Sequence, residues 1–166
     1  MKWLFCLVLL FIASRSEAQR GTVHLAYGSY GNVGDATHIV EDGRIFQACG
    51  NFAQRGACLY LIDDDQVFRS GDTFCSRGQG AFTMEGNKFF RCSGAFCNRG
   101  NCLFVVENNK IFRADGVFCN KAEAAFVIEG NKVFIAQGAM ATKSDAILHL
   151  EGNIPTIALL SILAGL

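Results

Sequence analysis

The sequence predicts an all-β fold, an array of six β-hairpin repeats of 22 residues. Three observations carry this reading. Glycine or a small residue recurs every 22 positions, at Gly34, Gly56, Gly78, Gly100, Ala122 and Ser144, with no insertion between units. An acid stands seven places after each: Glu41, Asp63, Glu85, Glu107, Glu129 and Glu151. A phenylalanine stands twelve places after the first five: Phe46, Phe68, Phe90, Phe112 and Phe134. A fixed period of this length marks one supersecondary unit copied along a chain.

The unit beginning at Gly78 shows the parts in order. Residues 81–85 (Ala-Phe-Thr-Met-Glu) read as a strand, Gly86-Asn87 as a two-residue turn, and residues 88–92 (Lys-Phe-Phe-Arg-Cys) as the return strand. Equivalent turns hold Asp42-Gly43, Asp64-Asp65, Asn108-Asn109, Gly130-Asn131 and Gly152-Asn153. These residue types tolerate the positive φ that tight hairpin turns require. A two-residue turn fixes the register, so Glu85 faces Lys88, Met84 faces Phe89, Thr83 faces Phe90 and Phe82 faces Arg91. The same register sets Glu41 against Arg44, Glu107 against Lys110 and Glu129 against Lys132, as ion pairs at the hairpin tips.

A β-solenoid, with one coil per repeat, is an alternative for such a period. It would stack the six acids one strand spacing apart, and like charges placed so are unfavourable. A β-trefoil, also twelve strands, would double the period to 44, which Cys58 and Cys102 follow.

The second half of each unit is a turn. Gly50, Gly94, Gly116 and Gly138 share one position, and Phe52, Phe74, Phe96, Phe118 and Met140 stand at the position two places later. This apolar row is expected to be core, plugging the space between consecutive hairpins.

The two ends of the array are complementary. Residues 22–26 match a return strand with no first strand, and residues 145–153 match a first strand with no return strand. Their pairing would complete a sixth unit and remove the sheet edges. It would also set His24 opposite His149.

The flanks read as processing segments. Residues 1–18 have the order of a signal peptide: Lys2, an apolar run from Trp3 to Ala13, then Ser16-Glu17-Ala18. The repeat domain then spans 19–153. Residues 154–166 carry no charge and are too short to span a bilayer as a helix. This tail has the composition of a GPI-attachment signal, with Ser144 as the attachment residue. The two expectations collide, because attachment at Ser144 removes the strand that closes the array. The protein is accordingly expected outside the cell, secreted or GPI-anchored at the surface.

Eight cysteines in a secreted chain imply disulfides. Loss of Cys6 with the leader leaves seven, hence three bonds and one free thiol. Placement across unit junctions suggests Cys49 with Cys58, Cys75 with Cys92 and Cys97 with Cys102, leaving Cys119 unpaired.

No catalytic or metal-binding constellation is present in the sequence. His24, His38 and His149 stand in no motif with a nucleophile, and no cofactor is implied. Zero formal net charge gives no reason to expect a nucleic-acid partner. The expected function is a non-enzymatic extracellular binding or adhesion module for an anionic glycan or a protein partner. Arg55, Arg77, Arg99, Lys121 and Lys143 end the five whole units, and Arg69, Arg91 and Arg113 lie on return strands. Gathered away from the acidic tips, these eight cations would form an anion-binding surface. The alternative is a structural or assembly protein of an extracellular layer, linked through the unpaired cysteine.

Overall fold

The computed structural model describes residues 20–50, 52–138 and 140–166; the leader expected over residues 1–18 lies outside the described residues. Twelve antiparallel strands form one closed barrel in which every strand pairs with its chain neighbours and the last pairs with the first. They are β1 (Arg20–Tyr27), β2 (Asn32–Glu41), β3 (Arg44–Cys49), β4 (Gln54–Asp63), β5 (Gln66–Arg69) and β6 (Gly80–Glu85), then β7 (Lys88–Ser93), β8 (Asn98–Glu107), β9 (Lys110–Asp115), β10 (Asn120–Glu129), β11 (Lys132–Gln137) and β12 (Thr142–Gly152). A short helix, α1 (Thr156–Leu163), ends the chain.

The hairpin register is the expected one. Glu85 faces Lys88, Met84 faces Phe89, Thr83 faces Phe90 and Phe82 faces Arg91. The first residue of each of the five tight turns is left-handed, with φ between 48° and 61° at Asp42, Asp64, Gly86, Asn108 and Gly130; Gly152, at the matching position with φ 71°, ends β12 and leads into the tail instead. The terminal half-units close the ring through β1 and β12, with His24 opposite His149. Closure leaves no edge strand to recruit another chain. The barrel replaces both the solenoid and the trefoil alternatives.

Tight turns occupy one end of the barrel and the wider connections the other. Near the wide end the long strands carry bulges, for example between Phe46↔Cys58 and Ala48↔Arg55, and bend there. The wide loops then lean against the outside of the wall. The Arg20 guanidinium donates to the Ala53 carbonyl at 3.2 Å, and Lys132 Nζ donates to the Tyr30 carbonyl at 2.6 Å.

Two layers of apolar packing result. Inside, Val23, Val40, Ile45, Val67, Phe89, Ile111, Val133 and Leu148 line the lumen and pack on Ala158, Leu159, Leu160, Ile162 and Leu163 of α1. On the opposite side of the wall, Phe46, Phe68, Phe90, Phe112 and Phe134 form separate small clusters with cysteines or alanines. A cation roofs each of these rings: Arg55, Arg77, Arg99, Lys121 and Lys143, at 3.7–4.9 Å from the ring centroid.

The helix explains the apolar tail. A ring of eight strands is just filled by its own side chains, and wider barrels enclose space. Twelve strands therefore need a filler. Ile154 folds over Gly21 at the tight-turn end, Pro155 turns the chain inward, and α1 runs through the lumen. A helix apolar all round belongs in a core. Its one buried hydroxyl, on Ser161, donates to the Ile157 carbonyl at 2.7 Å. The segment expected to be an attachment signal is thus, in the folded chain, the centre of the barrel.

The number of disulfides is the expected three, but the pairing is corrected. Cys58 bonds Cys75, Cys92 bonds Cys97 and Cys102 bonds Cys119, while Cys49 is free and exposed. Cys119, expected to be unpaired, is bonded. Cys75, Cys97 and Cys119 occupy the same left-handed position of three wide loops. Two of them reach the strand residue 17 places back. For Cys97 that residue is Gly80, whose added Cβ would stand 2.7 Å from the Cys97 Cα. Cys97 turns to Cys92 instead.

Candidate functional site

The barrel sorts the eight cations into two groups. Arg55, Arg77, Arg99, Lys121 and Lys143 bond the acids of the preceding tips: Arg55 with Glu41 at 3.1 Å, Arg77 with Asp63 at 2.8 Å, Arg99 with Glu85 at 2.5 Å, Lys121 with Glu107 at 2.8 Å, and Lys143 with Glu129. Two expectations are corrected here. The acids bond the cation 14 residues later rather than the cross-strand base, although the cross-strand register itself is as expected. These five cations also do not stand apart from the acids. Each guanidinium or ammonium gains a ring face and a carboxylate at once by lying along its phenylalanine.

Arg69, Arg91 and Arg113 belong to the other group. Alternation along a strand puts residues two apart on one face. Arg69, Arg91 and Arg113 thus share the face of Val67, Phe89 and Ile111, which line the lumen. Their cross-strand partners are Tyr60, Phe82 and Phe104, which pack on the inner core. The three arginines therefore stand around the mouth at the wide-loop end. Among the described residues none of them has an ion pair or a hydrogen bond to a side chain.

The floor beneath them is aromatic. Tyr60, Phe82, Phe89, Phe104 and Phe126 form an arc with successive centroids 5.1–6.3 Å apart. The arginine-bearing strands are separated by one strand, so their Cα atoms lie about 10 Å apart. Long side chains on a concave wall at that spacing can meet one ligand. One cleft at the mouth, of about 340 Å³, is lined by His38, Tyr60, Arg69, Ser70 and the chain end at Gly165 and Leu166. A second, of about 470 Å³, is lined by Arg113, Phe126, Ile135 and Glu123. Glu123 shares that cleft without pairing to Arg113.

His38 faces the same mouth, and burial holds its pKa below the usual imidazole value. The sign follows by linkage. The unfolded chain takes up a proton first as pH falls through about 6.5, so the stability tied to neutral His38 is lost on acidification. Between pH 7.5 and 5.5 the melting temperature of the wild type is expected to drop further than that of His38→Gln. Equal drops would remove this role from His38.

His24 and His149 meet in the closing hairpin with ring centroids 6.2 Å apart. Glu151 lies 3.4 Å from His24 Nε2 and 3.8 Å from His149 Nε2. No group of three or more potential ligands arranged for a metal ion occurs among the described residues.

The apolar row expected to be core is corrected to surface. Tyr30, Phe52, Phe74, Phe96, Phe118 and Met140 are 83–87% exposed. The cause is local. The next residue in each loop is small and left-handed: Gly31, Ala53, Cys75, Cys97, Cys119 or Ala141. In most of these loops its amide closes the turn, as Cys97 N–H does on the Gly94 carbonyl at 3.2 Å. The small side chain tucks against the wall and the large one is turned outward.

No known protein family matches the chain, and no curated protein or solved structure is significantly similar to it. The site therefore stands on its geometry.

Three features could have been read from sequence. Strand parity separates Arg69, Arg91 and Arg113 from the other cations. The small residue after each loop aromatic marks which of the two turns inward. Cys75 and Cys119, like Cys58 and Cys102, lie 44 residues apart.

Proposed function

We propose that the protein is an extracellular, non-enzymatic binding module that holds an anionic glycan at the arginine-lined mouth of its barrel. The observation that carries this is the set of three arginines without a carboxylate partner, in a chain whose other repeat-end cations are each neutralised. Sulfate or carboxylate groups on a sugar chain would supply the missing charge through bidentate hydrogen bonds. Sugar faces would rest on the aromatic arc below. Three disulfides and an all-β closed barrel agree with an oxidising, extracellular location.

Burial of α1 supports secretion without a lipid anchor. Attachment at Ser144 would remove most of β12 and all of α1, so an anchored form would have to be cut before the barrel closes.

Heparin chromatography tests the proposal with an internal control. Wild type is expected to elute late in a salt gradient. The triple variant Arg69→Gln/Arg91→Gln/Arg113→Gln is expected in the flow-through at about 0.15 M salt, where screening leaves little long-range attraction. Arg55→Gln/Arg77→Gln/Arg99→Gln removes the same charge from paired positions and is expected to elute with the wild type. Equal losses in the two triples would reduce the effect to net charge and sink the site.

A further inference from the structure

We propose that the seam between β1 and β12 takes up an arginine or lysine side chain from a partner polypeptide, at a place that the other units fill with a cation of their own. In five units the outer wall carries one three-part stack. A phenylalanine supplies a ring, the cation nine residues later lies over it, and the acid five residues before it bonds that cation. Ring closure builds the sixth stack from both chain ends. Its ring place holds His24, its acid place Glu151, and its cation place Val33.

Glu151 is therefore the one tip acid of the six with neither Arg nor Lys. Its cross-strand neighbour is Thr22, where Glu129 faces Lys132. Among the described residues its ion-pair partners are His24 and His149 alone. The nearest bases are turned to backbone: Lys132 to the Tyr30 carbonyl and Arg20 to the Ala53 carbonyl.

His24 independently points to a missing donor. Its Nδ1 lies 3.3 Å from the Gly34 carbonyl, which only accepts, so Nδ1 carries the proton and Nε2 a lone pair. That Nε2 is buried, has no hydrogen-bond partner among the described residues, and faces Glu151 Oε2 at 3.4 Å. Two acceptors set against each other call for a positively charged donor. A cleft of about 220 Å³ opens beside His24, lined also by Val33, Asp35 and Ala53, and Asp35 adds a second carboxylate. The five filled places hold three guanidinium and two ammonium heads, so either head fits the stack. Each is a peptide side chain, and a basic side chain from outside brings the same head on the same stem. The seam lies on the outer wall, away from Arg69, Arg91 and Arg113, and does not rest on the glycan reading.

The test follows the imidazole signals of the full chain by NMR at pH 8, where a proton competes least for Nε2. The chain has three histidines, so His38 at the mouth is an internal reference. Nα-acetyl-arginine amide is expected to move the His24 and His149 signals with about millimolar affinity and to leave His38 unmoved. The neutral isostere Nα-acetyl-citrulline amide should move none. Glu151→Gln should weaken the arginine probe about tenfold, as one charge-assisted contact is lost. Val33→Arg supplies the missing cation from within. It should abolish the response to the probe while melting at or above the wild-type temperature, since Val33 is half exposed. Unmoved seam signals at about 0.1 M probe, a hundred times the expected constant, overturn the proposal. So do equal shifts with citrulline, or undiminished binding to folded Val33→Arg. Micromolar Zn²⁺ that moves both signals and blocks the probe would make the seam a metal site instead, and overturns it too.

Discussion

Leu160→Asp is expected to leave the barrel unfolded, and loss of residues 154–166 to do the same. Leu160 is fully buried at the centre of α1, where it packs on the inner faces of strands from around the ring. A carboxylate there has no partner, and an unpaired buried charge costs several kcal/mol even after it neutralises by taking up a proton. Leu160→Ala, which only opens space, should cost about 2–5 kcal/mol. A domain of this size has about 5–15 kcal/mol in total. Deleting the whole segment also takes away Leu159, Ile162 and Leu163, and leaves twelve strands around an empty lumen. Leu166→Asp is the control, since that side chain is largely exposed at the mouth, and it should unfold with the wild-type midpoint in guanidinium. A truncated chain that keeps the wild-type midpoint would show that α1 is not core, and would restore the reading of the tail as a removable signal.

That prediction also shows where the sequence misleads. Charge-free residues at a chain end look alike whether they enter a membrane or a lumen, because both are apolar surroundings. What separates the two is the width of the barrel. Twelve strands enclose more space than their own side chains fill, so the strand count already implies a filler. The hairpins were legible for the opposite reason. A two-residue turn and a period of two leave one register per hairpin, and any slip would turn Val67 and Phe89 out of the lumen. Closure was legible because the chain supplies one half-unit at each end and the halves fit only each other.

The candidate site was legible in composition and illegible in arrangement. Eight repeat-related cations could be counted, but their grouping depends on strand parity and on bulges. Arg91 follows Phe89 by two residues on an unbent strand and so faces the lumen. Arg99 precedes the bulge in β8, and there the side chain returns along the outer face over Phe90 to Glu85. The loop aromatics were misjudged because ring size favours burial in general. At Phe96 the left-handed turn gives the inward place to Cys97 instead, and packing follows backbone geometry rather than residue size.

The second large effect concerns Cys102–Cys119. Removing it as Cys102→Ala/Cys119→Ala should cost about 3 kcal/mol, from the lost restraint on a loop of this length in the unfolded chain. The bond spans 17 residues, as does Cys58–Cys75, whereas Cys92–Cys97 spans 5. The same relation gives about 2 kcal/mol for the short span, so Cys92→Ala/Cys97→Ala should be the milder change. Packing works in the same direction, because Cys102 and Cys119 close the cluster around Phe90 and Val105, and the wide loop leans on the wall through this link. Alanine at both positions keeps the loop residue small and inward. Cys49→Ser touches no bond and should leave the midpoint unchanged, while abolishing any dimer seen without reductant. Midpoints in guanidinium rank the four proteins, and peptide mapping without reduction fixes the pairs. The ranking fails if the short-span variant loses more than the long-span one. A mapped bond between Cys49 and Cys58 would overturn the assignment itself, since Cys58 is the partner that holds the loop of Cys75 against the wall.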